Sequence, residues 1–180
     1  MISHDQCVQL LKNFGCFPCA KIEKFPTIIL AMNKIQPITC AATNDLSVTI
    51  PDSSGKNIVL YFYPKDSTPG CTIEGQDFRD HKEDFDNLNT LIYGVSRDSL
   101  KSHENFKSKQ NFNFELISDP DETLCRLFDV VKLKKMYGKE HMGIVRSTFV
   151  IDPDGNILKE WDNVKVDGHV EEVLDAVKKL

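Results

Sequence analysis

Residues 57–80 read NIVLYFYPKDSTPGCTIEGQDFRD, and the fold is decided by how this stretch is parsed. Residues 57–63 are almost all apolar, aromatic or β-branched and show no helical spacing, so they are expected to form a central strand buried on both faces. Pro64 ends that strand, and Asp66 and Ser67 are turn formers. Thr68-Pro69-Gly70 then leads into a periodic segment in which Ile73, Phe78, His81, Phe85 and Leu88 are expected to share one helical face. Pro69 suits a first turn, because it lacks an N–H that would be unpaired there anyway. Cys71 therefore falls in the first turn of a helix, where free N–H groups and the helix dipole favour an anion and so a thiolate. The alternative is a small buried hydrophobe, the commoner fate of a cysteine after a strand.

Outward from this stretch, strands and helices alternate. Residues 36–56 are expected to hold a β-hairpin, with Leu46, Val48 and Ile50 alternating before a turn at 51–55. A strand over 90–96 precedes a helix over 99–110 with Ser99 as N-cap. A strand over 114–117 and a helix over 119–128, carrying Cys125 between Leu124 and Leu127, come next. Residues 144–152 and 156–161 flank Pro153-Asp154-Gly155 and read as an antiparallel hairpin, and residues 169–179 as a closing amphipathic helix. The pattern predicts an α/β domain, a central mixed sheet flanked by helices with an N-terminal β-hairpin.

The chain has 180 residues, enough for one domain with a sizeable core plus an extension, divided at 1–35 and 36–180. With 22 basic against 27 acidic residues the net charge is −5, and no basic run is present, which argues against nucleic acid. The longest apolar run near the start, Thr27 to Met32, is far short of a membrane span. Lysines precede it as in a secretory signal, but no convincing cleavage site follows, and Met32 is an alternative start. Cys16-Phe17-Pro18-Cys19 is a C-x-x-C pair, able to serve as a redox dithiol or, with Cys7 and Cys40, as a zinc cluster. The spacings are unusual for zinc, and the reading is an arm with no chemistry. Six cysteines without regular spacing fit a reducing, cytoplasmic compartment.

Pro64, Thr68 and Cys71 stand as P-x-x-x-T-x-x-C, which resembles the active-site motif of the peroxiredoxins. The YFYPKDSTPGCT context is similar to the peroxiredoxin Q or bacterioferritin co-migratory protein subfamily of AhpC/TSA-type thiol peroxidases. Phe78-Arg79-Asp80, the ISDP of 117–120, the MYGK of 136–139 and the RSTFVID of 146–152 extend the likeness in the same order. The resemblance implies a thioredoxin fold and, as substrates, hydrogen peroxide and alkyl hydroperoxides. It implies that Cys71 is the peroxidatic cysteine, which attacks a peroxide oxygen and becomes a sulfenic acid. Thr68 would hydrogen-bond the thiolate and the substrate, Pro64 would shield the sulfur, and Arg146 would hold both sulfur and peroxide oxygen. Glu74 is the candidate for fixing Arg146. For that arginine to reach Cys71, its strand must neighbour the one ending at Tyr63.

The positions where subfamily members carry a resolving cysteine are Gln76 and Lys107 here. A one-cysteine mechanism is therefore expected, with thioredoxin, glutaredoxin or glutathione as external reductant and no metal or organic cofactor. Cys125, Cys16, Cys19 and Cys40 are the remaining candidate resolvers. A monomer is expected, as is usual in the subfamily. Rival readings are a thiol–disulfide oxidoreductase using Cys16 and Cys19, and a non-enzymatic chaperone or interaction protein.

Overall fold

The computed structural model describes residues 34–136 and 139–180. In chain order the strands are β1 (Ile38–Ala42), β2 (Leu46–Ile50), β3 (Asn57–Phe62), β4 (Thr90–Ser96), β5 (Glu115–Ser118), β6 (Val131–Met136), β7 (Lys139–Ile144), β8 (Ser147–Ile151) and β9 (Ile157–Trp161). The helices are α1 (Pro69–Asp80), α2 (Lys82–Asn87), α3 (Leu100–Gln110), α4 (Thr123–Leu127) and α5 (His169–Val177). Seven strands form one sheet in the order β2-β1-β5-β4-β3-β8-β9, and β6 and β7 form a separate two-stranded sheet. β3 runs parallel to β4 and antiparallel to β8, β4 runs parallel to β5, and the outer pairings are antiparallel. This is the expected mixed sheet with an N-terminal hairpin.

β3 is central and buried from Ile58 onward, as its apolar composition requires. Successive side chains of a strand point to opposite faces, and here they divide two apolar layers. Ile58, Leu60 and Phe62 join Val95, Ile117, Leu124, Cys125, Phe128, Ile144 and Phe149 on one face. Val59, Tyr61 and Tyr63 join Cys71, Phe78, Phe85, Phe106, Phe112, Val170 and Leu174 on the other. α1, α2, α3 and α5 cover this second layer. Ile35 is buried too, its N–H donating to Gly155 O at 2.7 Å.

Several boundaries differ from expectation. The helix after the turn is interrupted at His81, so α1 and α2 are separate segments. Ile73 is 51% exposed, and α1 buries Cys71, Glu74, Gly75 and Phe78 instead. Those four follow the 3.6-residue period, whereas a step of five from 73 to 78 turns a side chain well off the face. α4 is shorter than the expected 119–128 helix, and β6 and β7 pair antiparallel where no strand pair was expected. Ser99 is confirmed as the N-cap of α3, its hydroxyl accepting from Ser102 N.

α1 is fastened at its far end. The Gln76 amide donates to Gln110 Oε1 at 2.9 Å, Arg79 donates to Gln110 O at 2.8 Å, and Asn113 donates to Arg79 O at 3.2 Å. The Phe112 ring fills the space beside Gly75, where an added Cβ would meet Phe112 Cζ at 2.4 Å. No helix among the described residues is long and apolar enough to cross a membrane.

Candidate active site

The site is built where β3 ends and α1 begins. Tyr63 closes the strand with its N–H on Val95 O, and Pro64 then turns the chain away from the sheet. Thr68 has extended backbone (φ −83°, ψ 151°) as the N-cap residue, and Pro69 occupies the first turn. This places Cys71 in the first turn of α1, 2% exposed, with its side chain in the layer that α1 covers.

β8 lies beside β3, with Phe62 opposite Ser147. Arg146 immediately precedes β8, and this adjacency carries it to the start of α1 as the sequence required. Arg146 Nη2 donates to Cys71 Sγ at 3.2 Å, and Arg146 Nη1 pairs with Glu74 Oε2. The backbone of Arg146 is held as well, its carbonyl accepting from Val164 N at 2.9 Å. One planar guanidinium thus spans the sulfur and a carboxylate one helical turn further along α1, a fork that lysine has no means to reproduce. An added Cβ at Gly70 would lie 3.4 Å from Arg146 Nη2, so a small residue there leaves room for the fork.

Glu74 is fully buried, and among the described residues its Oε1 meets no hydrogen-bond partner. Burial pushes its carboxyl up to about 7, against the opposing pull of the Arg146 charge and hydrogen bond. A carboxyl whose folded value lies above its unfolded value stabilises the fold fully below the unfolded value, and that contribution is lost as pH rises through the folded one. For Glu74 the window runs from about 4.5 to about 7. Urea unfolding of wild type and Glu74→Gln at about pH 5 and about pH 8 is expected to show wild type losing stability relative to the variant on raising the pH, by at most about 3 kcal/mol. Parallel behaviour of the two proteins would contradict this assignment.

Thr68 lies at the expected place, but its hydroxyl donates to Lys65 O at 3.0 Å, and no hydrogen bond joins it to Cys71. Pro64 is half-buried beside the turn. Tyr61, from β3, is held as a neutral phenol well above its ordinary value by burial first, then by the negative charges of Glu74 and Cys71. A second cation, Lys134 of β6, was not among the sequence candidates. Its ammonium donates to Ile144 O, and its pKa is lowered by burial and by the charge of Arg146, while Cys71 acts in the opposite direction.

Cys125 and Cys40 lie elsewhere. Cys125 is fully buried in the apolar layer on the opposite face of the sheet from Cys71, and Cys40 packs against that same layer. Burial pushes the Cys40 thiol up to about 11, and burial with the Asp119 hydrogen bond and charge pushes Cys125 up strongly. Both therefore belong to the layer across the sheet from Cys71. Cys7, Cys16 and Cys19 lie outside the described residues. Among the described residues no group of histidine, cysteine and carboxylate side chains is arranged to hold a metal.

A sequence model of the AhpC/TSA family matches residues 31–160. Peroxiredoxin Bcp of Xanthomonas campestris pv. campestris is 53% identical over 146 residues, covering 77% of this chain and 91% of the relative. Peroxiredoxin Bcp of Bacillus subtilis is 54% identical over 134 residues, covering 74% and 85%. Among solved structures, Xanthomonas campestris peroxiredoxin Q superposes with a TM-score of 0.76 at 51% identity, covering 79% of this chain and 90% of that one. The bacterioferritin comigratory protein of the same organism, described for its alkyl peroxide reduction activity, gives a TM-score of 0.75 at 50% identity, with 79% and 90% covered.

Proposed function

The chain belongs to the AhpC/TSA family, within which its relatives are peroxiredoxins, and is a thiol-dependent peroxidase of thioredoxin fold; from that premise we propose that it works by a one-cysteine mechanism centred on Cys71. The observation that carries this reading is the Arg146 guanidinium shared between Cys71 Sγ, at 3.2 Å, and the buried Glu74.

In the first half-reaction the Cys71 thiolate attacks the nearer peroxide oxygen. An S–O bond forms, the O–O bond breaks, and the departing hydroxide or alkoxide takes a proton to leave as water or alcohol. Displacement at oxygen needs donors aimed where negative charge grows, and the Arg146 fork supplies them from a position fixed by Glu74. Pro64 shields the sulfur. Thr68 orients the peroxide by turning its hydroxyl from the Lys65 carbonyl to the substrate. In the second half-reaction two equivalents of an external thiol return the sulfenic acid to the thiol, releasing water and a disulfide. Thioredoxin, glutaredoxin and glutathione are the candidate donors, and no metal or organic cofactor takes part.

The position of Cys40 and Cys125 behind the sheet supports the absence of an internal resolver among the described residues. Hydrogen peroxide and alkyl hydroperoxides are the proposed substrates, the latter supported by the activity described for the Xanthomonas relative. We place the protein as a monomer in a reducing, cytoplasmic compartment.

A sulfenic acid without a nearby thiol lives longer and is more open to further oxidation to sulfinic acid. Titration with excess peroxide is therefore expected to inactivate wild type more steeply than Gln76→Cys, which restores a thiol on α1. Equal inactivation of the two proteins would count against the one-cysteine mechanism.

A further inference from the structure

The turn bearing Pro64 and Thr68 is held by a buried polar cluster that the peroxide chemistry above does not use. Asp66, in the middle of the turn, is 8% exposed, and His103 of α3 is fully buried. The Asp66 carboxylate accepts from Tyr63 Oη at 2.8 Å and Ser102 Oγ at 2.6 Å, and faces His103 Nδ1 at 2.9 Å. Its backbone N–H donates to Asp98 Oδ2 at 2.7 Å, and Asp98 Oδ2 also accepts from Ser96 Oγ at 3.1 Å. The other ring nitrogen, His103 Nε2, faces Ile117 O at 3.2 Å. Two carboxylates thereby tie the turn down: that of Asp66 to Tyr63 at the end of β3, to α3 and, through His103, to β5, and that of Asp98 to β4.

The two nitrogens of His103 face a carboxylate and a carbonyl. A carbonyl only accepts, so Nε2 must donate, and Nδ1 donates to Asp66 as well if the ring is an imidazolium. Both contacts are then satisfied, and the buried Asp66 carboxylate has a buried cation beside it. Burial alone would push the Asp66 carboxyl up, but the hydrogen bonds from His103 and Ser102 together with the His103 charge hold it below the ordinary value. The backbone gives an independent reason why the turn needs such a clamp. Ser67, next to Asp66, has φ +57°, in the left-handed region that is unfavourable for a non-glycine residue. Such a conformation persists where its surroundings over-determine it, and here it sits one residue before Thr68.

We propose that Asp66 and His103 form a buried ion pair that fixes the turn carrying Pro64 and Thr68 over Cys71, and that both are positioning residues for peroxide reduction. This rests on the peroxidase reading of Cys71. The pair acts on substrate alignment, not on the sulfur itself, since its contacts reach the turn and not Cys71 or Arg146.

The test compares two reactions of the same sulfur. Oxidation of Cys71 by hydrogen peroxide needs an aligned O–O bond, whereas alkylation by iodoacetamide needs only an accessible thiolate. In Asp66→Asn and in His103→Gln the second-order rate with hydrogen peroxide is expected to fall roughly 10-fold to 10²-fold, the scale of a misplaced positioning group. Alkylation is expected to change by less than about twofold, a split of the kind that separates positioning from loss of the nucleophile. The double variant is expected to lose less than the product of the two single losses, because each single change leaves one buried charge without its partner. Ser102→Ala, which removes one donor and neither charge, is expected to show the same selectivity at smaller amplitude and serves if the charge variants fail to fold. Peroxide and alkylation rates that change together, or single losses that multiply in the double variant, would overturn the assignment. Wild-type Cys71 that alkylates but does not react with peroxide would overturn the peroxidase reading along with it.

Discussion

Replacing Cys71 with serine is expected to lower peroxide reduction by roughly 10³-fold or more, the scale on which loss of a nucleophile acts when the rest of its machinery is intact. A serine hydroxyl is far less ionised than a thiol and gives no stable counterpart of the sulfenic acid, so the first half-reaction has nowhere to begin. The fold should survive, because the hydroxyl fits the same 2% exposed place and can accept from Arg146 Nη2 as the sulfur does. Peroxide consumption coupled to a thiol donor, measured beside a urea unfolding curve, checks both halves of this expectation. Retained turnover in Cys71→Ser would move the chemistry to another residue.

Arg146→Met should produce the second largest effect, and its consequences are separable. Removing a preorganised donor from a developing oxyanion lowers the rate by about 10²–10³-fold. The same change leaves Glu74 in the interior without its cation, a loss on the order of 3–5 kcal/mol if the carboxylate stays ionised. Because burial already pushes Glu74 up to about 7, the carboxyl can take a proton instead, and the destabilisation is expected to be smaller at about pH 5 than at about pH 8. Adding Glu74→Gln should recover stability without recovering rate. Recovery of peroxide turnover in that double variant would show that Arg146 acts only as the partner of Glu74.

What could be read from the sequence was what local chemistry encodes. β3 was legible because an uninterrupted apolar and β-branched run has few other homes in an α/β domain. The place of Cys71 followed from Pro64 as a strand stop and Pro69 as a first-turn residue. Placing Arg146 near Cys71 rested on the resemblance and on the condition that β8 pair with β3, which it does. The inward face of α1 was misread because Ile73 is apolar, although its spacing from Phe78 puts it on the other side of the helix. In place of Ile73 the helix buries Glu74, a charged residue that only the distant Arg146 makes tolerable.

The remaining misses are non-local in the same way. β6 and β7 alternate only briefly, through Val131 and Leu133 on one strand and Met142 and Ile144 on the other, and only the Val131–Ile144 pair enters the core while Leu133 and Met142 stay exposed. Asp66 reads as an ordinary turn former, and His103 as one polar residue of the helix expected over 99–110. Their meeting 37 residues apart in sequence follows only from the way α3 returns over the end of β3. Lys134 approaches Arg146 for the same kind of reason, through a hairpin that the sequence pattern did not mark.

The central claim is that Cys71 is oxidised to a sulfenic acid that an external thiol, and no other cysteine of the chain, reduces. Its most direct test is peptide-mapped mass spectrometry of the reduced protein after one equivalent of hydrogen peroxide, with a sulfenic-acid trap present. Trap label on Cys71, with no disulfide to any other cysteine, is the expected result. A disulfide joining Cys71 to Cys16, Cys19, Cys40 or Cys125, or label confined to a cysteine other than Cys71, would contradict it.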